Sequence, residues 1–149
     1  MDVVTSEQRS KNMSAIRSKN TRPEIYFRKL LFAEGYRYSL NSKNIPGHPD
    51  IYLRKYNTAI FINGCFWHRH EGCKYAYMPK SRVEFWQKKF EANQRRDEVV
   101  RKELEERRIK RLVVWECTIK MMFRDREKEK DVLAKTEDFL NSKEYAMEF

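Results

Sequence analysis

The run Asn63-Gly-Cys-Phe-Trp-His-Arg-His-Glu-Gly-Cys73 holds two thiols and two imidazoles, and the only other cysteine is Cys117. Cys65, His70, Cys73 and Cys117 form the donor set that tetrahedral Zn²⁺ takes, with every cysteine used and none left over. Four protein ligands leave no open position, so such a site would be structural. It would tie the loop after residue 62 to the end of a strand near residue 115. The competing reading is a set of reduced, buried cysteines beside a solvent-exposed histidine.

A second constellation lies just upstream, in Pro46-Gly-His-Pro-Asp50. An Asp at the start of a strand is most often a turn former. Here a following strand ends at Asn63-Gly64, beside the histidine-rich loop. Asp50, the Ile62 carbonyl, Asn63 and His68 could therefore converge. One carboxylate and one carbonyl, with waters completing an octahedron, suit Mg²⁺ and the hydrolysis of a phosphodiester. An imidazole titrating near neutral pH can protonate a leaving group or orient a water, which is the task open to His68.

Phe66 and Trp67 stand in this same polar loop, and Trp86 follows in a basic stretch. Large aromatics so placed are ordinary core or lid residues, or wedges that enter a base stack. The polar, basic first twenty residues contain Met13 and Ile16, spaced to share one face of a short helix. They read either as a frayed tail or as an arm that orders on DNA.

The elements that must position these groups follow from pattern. Thr21-Arg-Pro-Glu24 opens a helix, with Thr21 as cap, Pro23 in the first turn and Glu24 closing a capping box. That helix runs through Phe27 and Leu31 toward a stop at Gly35. Tyr36–Leu40, Asp50–Leu53 and Thr58–Ile62 read as strands, and Asn41–Pro49 as a loop. Ser81 to about Arg108 is one long charged helix, with Glu84/Lys88, Glu91/Arg95 and Glu103/Arg107 as supporting acid–base pairs. Arg111–Trp115 is a β-branched, buried strand, and from Lys120 a charged helical pattern runs to about Leu140. The order predicts an α/β fold, a central mixed β-sheet flanked by helices.

The whole chain has 149 residues, a net charge of +10 and 36% charged residues, with a mean hydropathy of −0.90. This is one domain's worth of chain, with no apolar run near the roughly 18–20 residues of a membrane span. No apolar leader follows Met1, so no secretory signal is expected. With 40% hydrophobic and 13% aromatic residues, a packed core is expected rather than disorder. The charge excess points to a polyanionic partner. Three cysteines, an odd number, fit reduced or metal-bound thiols better than a disulfide framework.

Six blocks occur in order: Arg9-Ser-Lys-Asn-Met-Ser-Ala-Ile16, Pro46-Gly-His-Pro-Asp50, Gly64-Cys-Phe-Trp-His68, Glu84-Phe-Trp86, Asn93-Gln-Arg-Arg-Asp97 and Val114-Trp-Glu-Cys117. Together they resemble the very-short-patch-repair (Vsr) DNA mismatch endonucleases, over about residues 9–120. The resemblance implies a restriction-endonuclease-like core, catalytic Mg²⁺ and a structural Zn²⁺. It implies nicking of double-stranded DNA 5′ of the T in a T:G mismatch, the product of 5-methylcytosine deamination. By the same resemblance, Asp50 and the Ile62 carbonyl would bind Mg²⁺, and His68 would be the catalytic histidine. Glu24 and Asp97 would sit around the active site, where Asn63 could hold a metal-bound water or contact the phosphate. Cys65, His70, Cys73 and Cys117 would hold Zn²⁺.

Phe66, Trp67 and Trp86 would wedge beside the mismatch, and Met13 and Ile16 would enter from the other groove. The domain plan implied is a DNA-contacting arm over residues 1–20 and one endonuclease domain over 21–149. An asymmetric target favours a monomer on DNA, in the bacterial cytoplasm at the nucleoid, with repair proteins as further partners. Two departures stand out. Asn63 occupies the place of a histidine in the best-known members, and Glu71-Gly72 lengthens the spacing between His70 and Cys73. The alternatives are a non-catalytic, zinc-stapled DNA-binding module, which Asn63 favours, and a nuclease of the same fold with another DNA substrate.

Overall fold

A computed structural model describes residues 20–149. The arm expected over residues 1–20, with Met13 and Ile16, lies outside them except for Asn20. The chain begins with helix α1 (Arg22–Ala33), whose Thr21 Oγ1 accepts from the Glu24 N–H at 3.4 Å. Glu24 answers by accepting from the backbone of Asn20 at 2.8 Å, so Thr21 caps as expected while the return bond of the box reaches one residue before the cap. Gly35 ends the helix in the left-handed region at φ +96°.

Five strands follow in the order of the sheet: β1 (Ser39–Leu40), β2 (Ile51–Leu53), β3 (Thr58–Asn63), β4 (Lys110–Trp115) and β5 (Ala146–Glu148). β1, β2 and β3 are antiparallel neighbours, whereas β3, β4 and β5 run parallel. The mixed sheet is thus as expected. The parallel half needs crossovers, which the long helix α2 (Val83–Glu106) and the pair α3 (Glu116–Arg124) and α4 (Arg126–Leu140) supply.

Two layers of helix enclose the sheet. Phe27 and Leu31 of α1, Ile119 and Met122 of α3 and Val132 and Phe139 of α4 bury one face, on Ile51, Leu53, Ile60, Leu112 and Val114. On the other face α2 packs Leu104 and Val100 over Ala59 and Phe61.

Four expectations need correction. The strand over Tyr36–Leu40 shrinks to Ser39–Leu40, because Tyr36 and Tyr38 turn inward onto the core. The helix expected from Lys120 is two helices, interrupted at Asp125, whose carboxylate caps the second by accepting from Glu127 and Lys128. The ion pairs of α2, among the described residues, centre on Arg101 with Glu98 and Glu105 rather than on the three pairs read from spacing. The edge strand β5 was not foreseen, since a three-residue strand is too short to show a period.

Candidate active site and metal centre

Parallel register aligns the carboxyl ends of β3 and β4, with Ile62 beside Val114 and Asn63 beside Trp115. Ligand sites of open α/β sheets gather at such strand ends. Both sequence-predicted constellations lie there.

Asp50 reaches this end because β2 is antiparallel to β3, with Ile51 opposite Ile60. The turn before it is held by Gly47 at φ +79°, where an added Cβ would lie 2.6 Å from Val100 and 3.0 Å from Phe61. Only glycine fits so close to α2 and β3 in that conformation. The Asp50 carboxylate accepts from the Ile62 N–H at 2.6 Å, which sets it beside the strand end whose carbonyl was the expected partner.

Burial pushes the Asp50 carboxyl up to about 7, and the neighbouring Glu24 adds to the rise, against the Ile62 N–H and His68, which lower it. Glu24 itself is 6% exposed. A buried and a half-buried carboxyl group side by side, with no Lys or Arg paired to either among the described residues, suit a hard divalent cation.

His68 faces the same cleft of about 460 Å³, which Glu24, Asp50, Ile62, Asn63 and Asp97 also line. Its Nδ1 lies 2.7 Å from Oδ2 of Asp97 on α2, and one turn earlier Asn93 donates to the Trp67 carbonyl at 3.3 Å. Helical spacing therefore lets α2 grip the loop twice, once through backbone and once through the imidazole. With a carboxylate at Nδ1, that nitrogen is the donor and Nε2 is left as the proton acceptor. All six residues expected in this site, Ile62 included, thus converge.

Next to it, Cys65, His70, Cys73 and Cys117 bring their ligand atoms within 4.8 Å of one another. Cys117 Sγ is 3.4 Å from His70 Nδ1, and the three cysteines are free thiols. Tetrahedral bonds of about 2.3 Å set ligand atoms roughly 3.7 Å apart, so the cluster has the size of a metal centre. Burial raises the Cys65 thiol to about 12. Burial also acts to raise Cys73, but hydrogen bonds from Tyr75 and the two other thiols prevail and lower it. Three close thiols without a cation cannot all ionise, and a bound metal removes that conflict. The inserted Gly72, at φ +72°, turns the longer His70–Cys73 segment back to the cluster.

Phe66, Trp67 and Trp86 form one half-buried aromatic cluster, with Phe66 centroids 5.2 Å from Trp67 and 5.5 Å from Trp86. Tyr77 and Phe90 touch the same ring, so Phe66 is the hub, while Tyr77 and Phe85 at 62% and 43% exposure form its outer edge.

Sequence reading missed Arg69. Held at φ +55°, it donates to the carbonyls of Phe66, Ala76 and Tyr77 and lies 3.9 Å over the Phe90 ring. It staples the loop; its one sequence signal was an arginine between two histidines. Asn93 was also missed as a positioning residue, although its place four before Asp97 marks a shared helix face.

Comparison with known proteins agrees with this geometry. The family model of DNA mismatch endonuclease Vsr matches residues 1–74. The chain is 46% identical over 119 residues to the type II nicking enzyme V.NmeAIP of Neisseria meningitidis, covering 80% of this chain and 84% of that protein. It is 42% identical over 118 residues to V.XorIIP of Xanthomonas oryzae, covering 79% and 86%. It is 38% identical over 119 residues to the DNA mismatch endonuclease Vsr of Escherichia coli, covering 80% and 76%. With these similarities added to the convergent cleft and thiol cluster, the chain belongs to the Vsr family of DNA mismatch endonucleases.

Proposed function

We propose that this protein is a Mg²⁺-dependent DNA endonuclease that hydrolyses the phosphodiester 5′ of the T in a T:G mismatch, nicking one strand to start repair. The observation that carries the reading is the cleft in which the Asp50–Glu24 carboxyl pair, Asn63 and the His68–Asp97 dyad meet. Asp50 and the Ile62 carbonyl would hold Mg²⁺, which when bound supplies positive charge to the reacting phosphate. Glu24 orients Asp50. His68 handles a proton at Nε2, taking it from water or giving it to the leaving oxygen, while Asp97 fixes the tautomer and steadies the cationic ring. Asn63 contributes an amide that can hydrogen-bond the phosphate or a water but cannot transfer a proton at neutral pH.

The thiol cluster would hold Zn²⁺ as a structural ion, and the whole would be a restriction-endonuclease-like core over residues 21–149. Residues 1–20, with Met13 and Ile16, would form the arm on the DNA. Phe66, Trp67 and Trp86 would wedge beside the mismatch. The protein would act as a monomer on DNA in the cytoplasm, alongside repair proteins. No helix of the described residues is long and apolar enough to cross a membrane.

The complete Asp50–His68–Asp97 set speaks for catalysis over a non-catalytic DNA-binding module. Strand-specific cleavage of a labelled duplex tests this, comparing T:G in a methylation-site context with the matched pair, with Mg²⁺ and with chelator. A nick only beside the T, only with Mg²⁺, is the expected result. Cleavage of the matched duplex at equal rate would point to another DNA substrate. Tight mismatch binding without any cleavage would favour the binding module.

A further inference from the structure

Arg111 is a cation of the reacting cleft that forms no ion pair among the described residues. It sits on β4, where register sets Arg111, Val113 and Trp115 beside Ala59, Phe61 and Asn63 of β3 on one face of the sheet. Arg111 lines the cleft that contains Asp50 and His68. It also lines an adjoining cavity of about 300 Å³ that shares Asn63, His68 and Asp97.

Every carboxylate around these two cavities is engaged elsewhere. Asp97 holds His68, Glu98 binds Arg101, Glu148 accepts from the Trp115 indole, Glu24 accepts from Asn20, and Asp50 accepts from Ile62. No ion pair within the described residues neutralises Arg111, although the residue is half-buried. Glu98 feels the Arg111 charge, but its carboxylate is bound to Arg101, so the half-buried guanidinium keeps its donors for an anionic ligand from outside.

Position matters as much as charge. Lys43 and His48 also line the cleft, but both are exposed residues of the 41–49 loop. Arg111 belongs to a strand paired on both sides, and its N–H donates to the Tyr145 carbonyl at 2.8 Å. Fixed charges on strands act with less reorganisation than charges on loops.

We propose that Arg111 binds a non-bridging oxygen of the phosphodiester being cut and stabilises the charge that builds there. The inference rests on the phosphodiester reading of the cleft and deepens it. The arginine fork supplies the fixed charge that the neutral amide of Asn63 cannot.

Nicking kinetics of Arg111→Ala and Arg111→Lys on the mismatched duplex test the assignment. Loss of one such donor should lower kcat of R111A by about 10²-fold, with KM for DNA changed far less. R111K should recover part of the rate, and free guanidinium should rescue R111A, which it would not do for a folding defect. Unchanged kcat in R111A, or a loss that tracks a lowered Tm without rescue, would overturn the role. A second readout does not depend on activity: the Arg111 Nε–H resonance, followed as inorganic phosphate is added. A saturable shift supports phosphate binding at Arg111, and no shift at millimolar phosphate rejects it. If the wild-type protein nicks no duplex, the nuclease reading fails, and this titration still decides whether Arg111 is a phosphate ligand.

Discussion

The imidazole of His70 lies flat on the indole of Trp115, with centroids 4.1 Å apart and ring planes 7° from parallel. The same indole donates through Nε1 to Glu148 of β5. Trp115 thus connects the Cys/His cluster to the edge strand of the sheet, and sets the ring orientation of His70 through packing.

Replacing Trp115 with Leu should loosen His70 and weaken metal retention. Outer-shell changes of this kind lower metal affinity about 10–100-fold. Metal content after dialysis against a graded chelator series would show it. Retention equal to that of the wild type would mean that the stacking is incidental. Cys117→Ser should have the larger effect, since it removes a donor that ties α3 to the loop.

Asp50 predicts a pH-dependent stability. Its carboxyl is raised from the ordinary 3.8 to about 7, so between these values the folded, metal-free protein binds more protons than the unfolded chain. The penalty of ionising Asp50 is absent below that window, grows across it as pH rises, and is constant above it. Asp50→Asn should therefore be more stable than wild type in chelator, by a margin that widens from about pH 4 to pH 7. Chemical denaturation at several pH values measures the margin. Saturating Mg²⁺ should shrink it, and nicking by D50N should be abolished.

Asp97→Asn keeps the shape of the dyad but removes the negative charge and offers His68 a donor in place of an acceptor. Tautomer reversal in a comparable imidazole–carboxylate pair lowers kcat by about 10⁴-fold. The drop should appear in kcat, with duplex binding within a few-fold of wild type. Single-turnover nicking and equilibrium binding separate the two, and a loss confined to binding would remove Asp97 from the chemistry.

Trp67→Ala tests the wedge. Base stacking on an aromatic ring contributes about 1–3 kcal/mol. Binding to the T:G duplex should weaken by that amount while binding to the matched duplex changes little. Equal losses on both duplexes would make Trp67 a packing residue of the Phe66 cluster.

Local signals were sufficient for much of this. Thr21, Pro23 and Gly35 bound α1 through backbone chemistry that neighbours do not alter. The β-branched run at 111–115 and the charged run at 83–106 announced a buried strand and a long helix. Residue types named the two sites as well, because a set of thiols and imidazoles or an Asp after a Pro-Gly turn has few chemical uses.

Other features came from partners distant in sequence. Tyr36 and Tyr38 alternate like strand residues, yet the core they fill belongs to α1 and the turn at Tyr56. The Lys110 ammonium is drawn inward to the carbonyls that end α4, at Leu140 and Ser142. That burial lowers its pKa.

By itself, then, the sequence determined which groups were available and which of the longer segments would be helix or strand, since both depend on residue type and near-neighbour spacing. Tertiary structure alone decided which groups meet. The parallel register of β3 and β4 brings Cys65 to Cys117 and opens one sheet face to Asn63 and Arg111. The packing of α2 across that face gives His68 its carboxylate. These pairings span 52 and 29 residues, and contacts at such separations follow from chain topology, which no local pattern encodes.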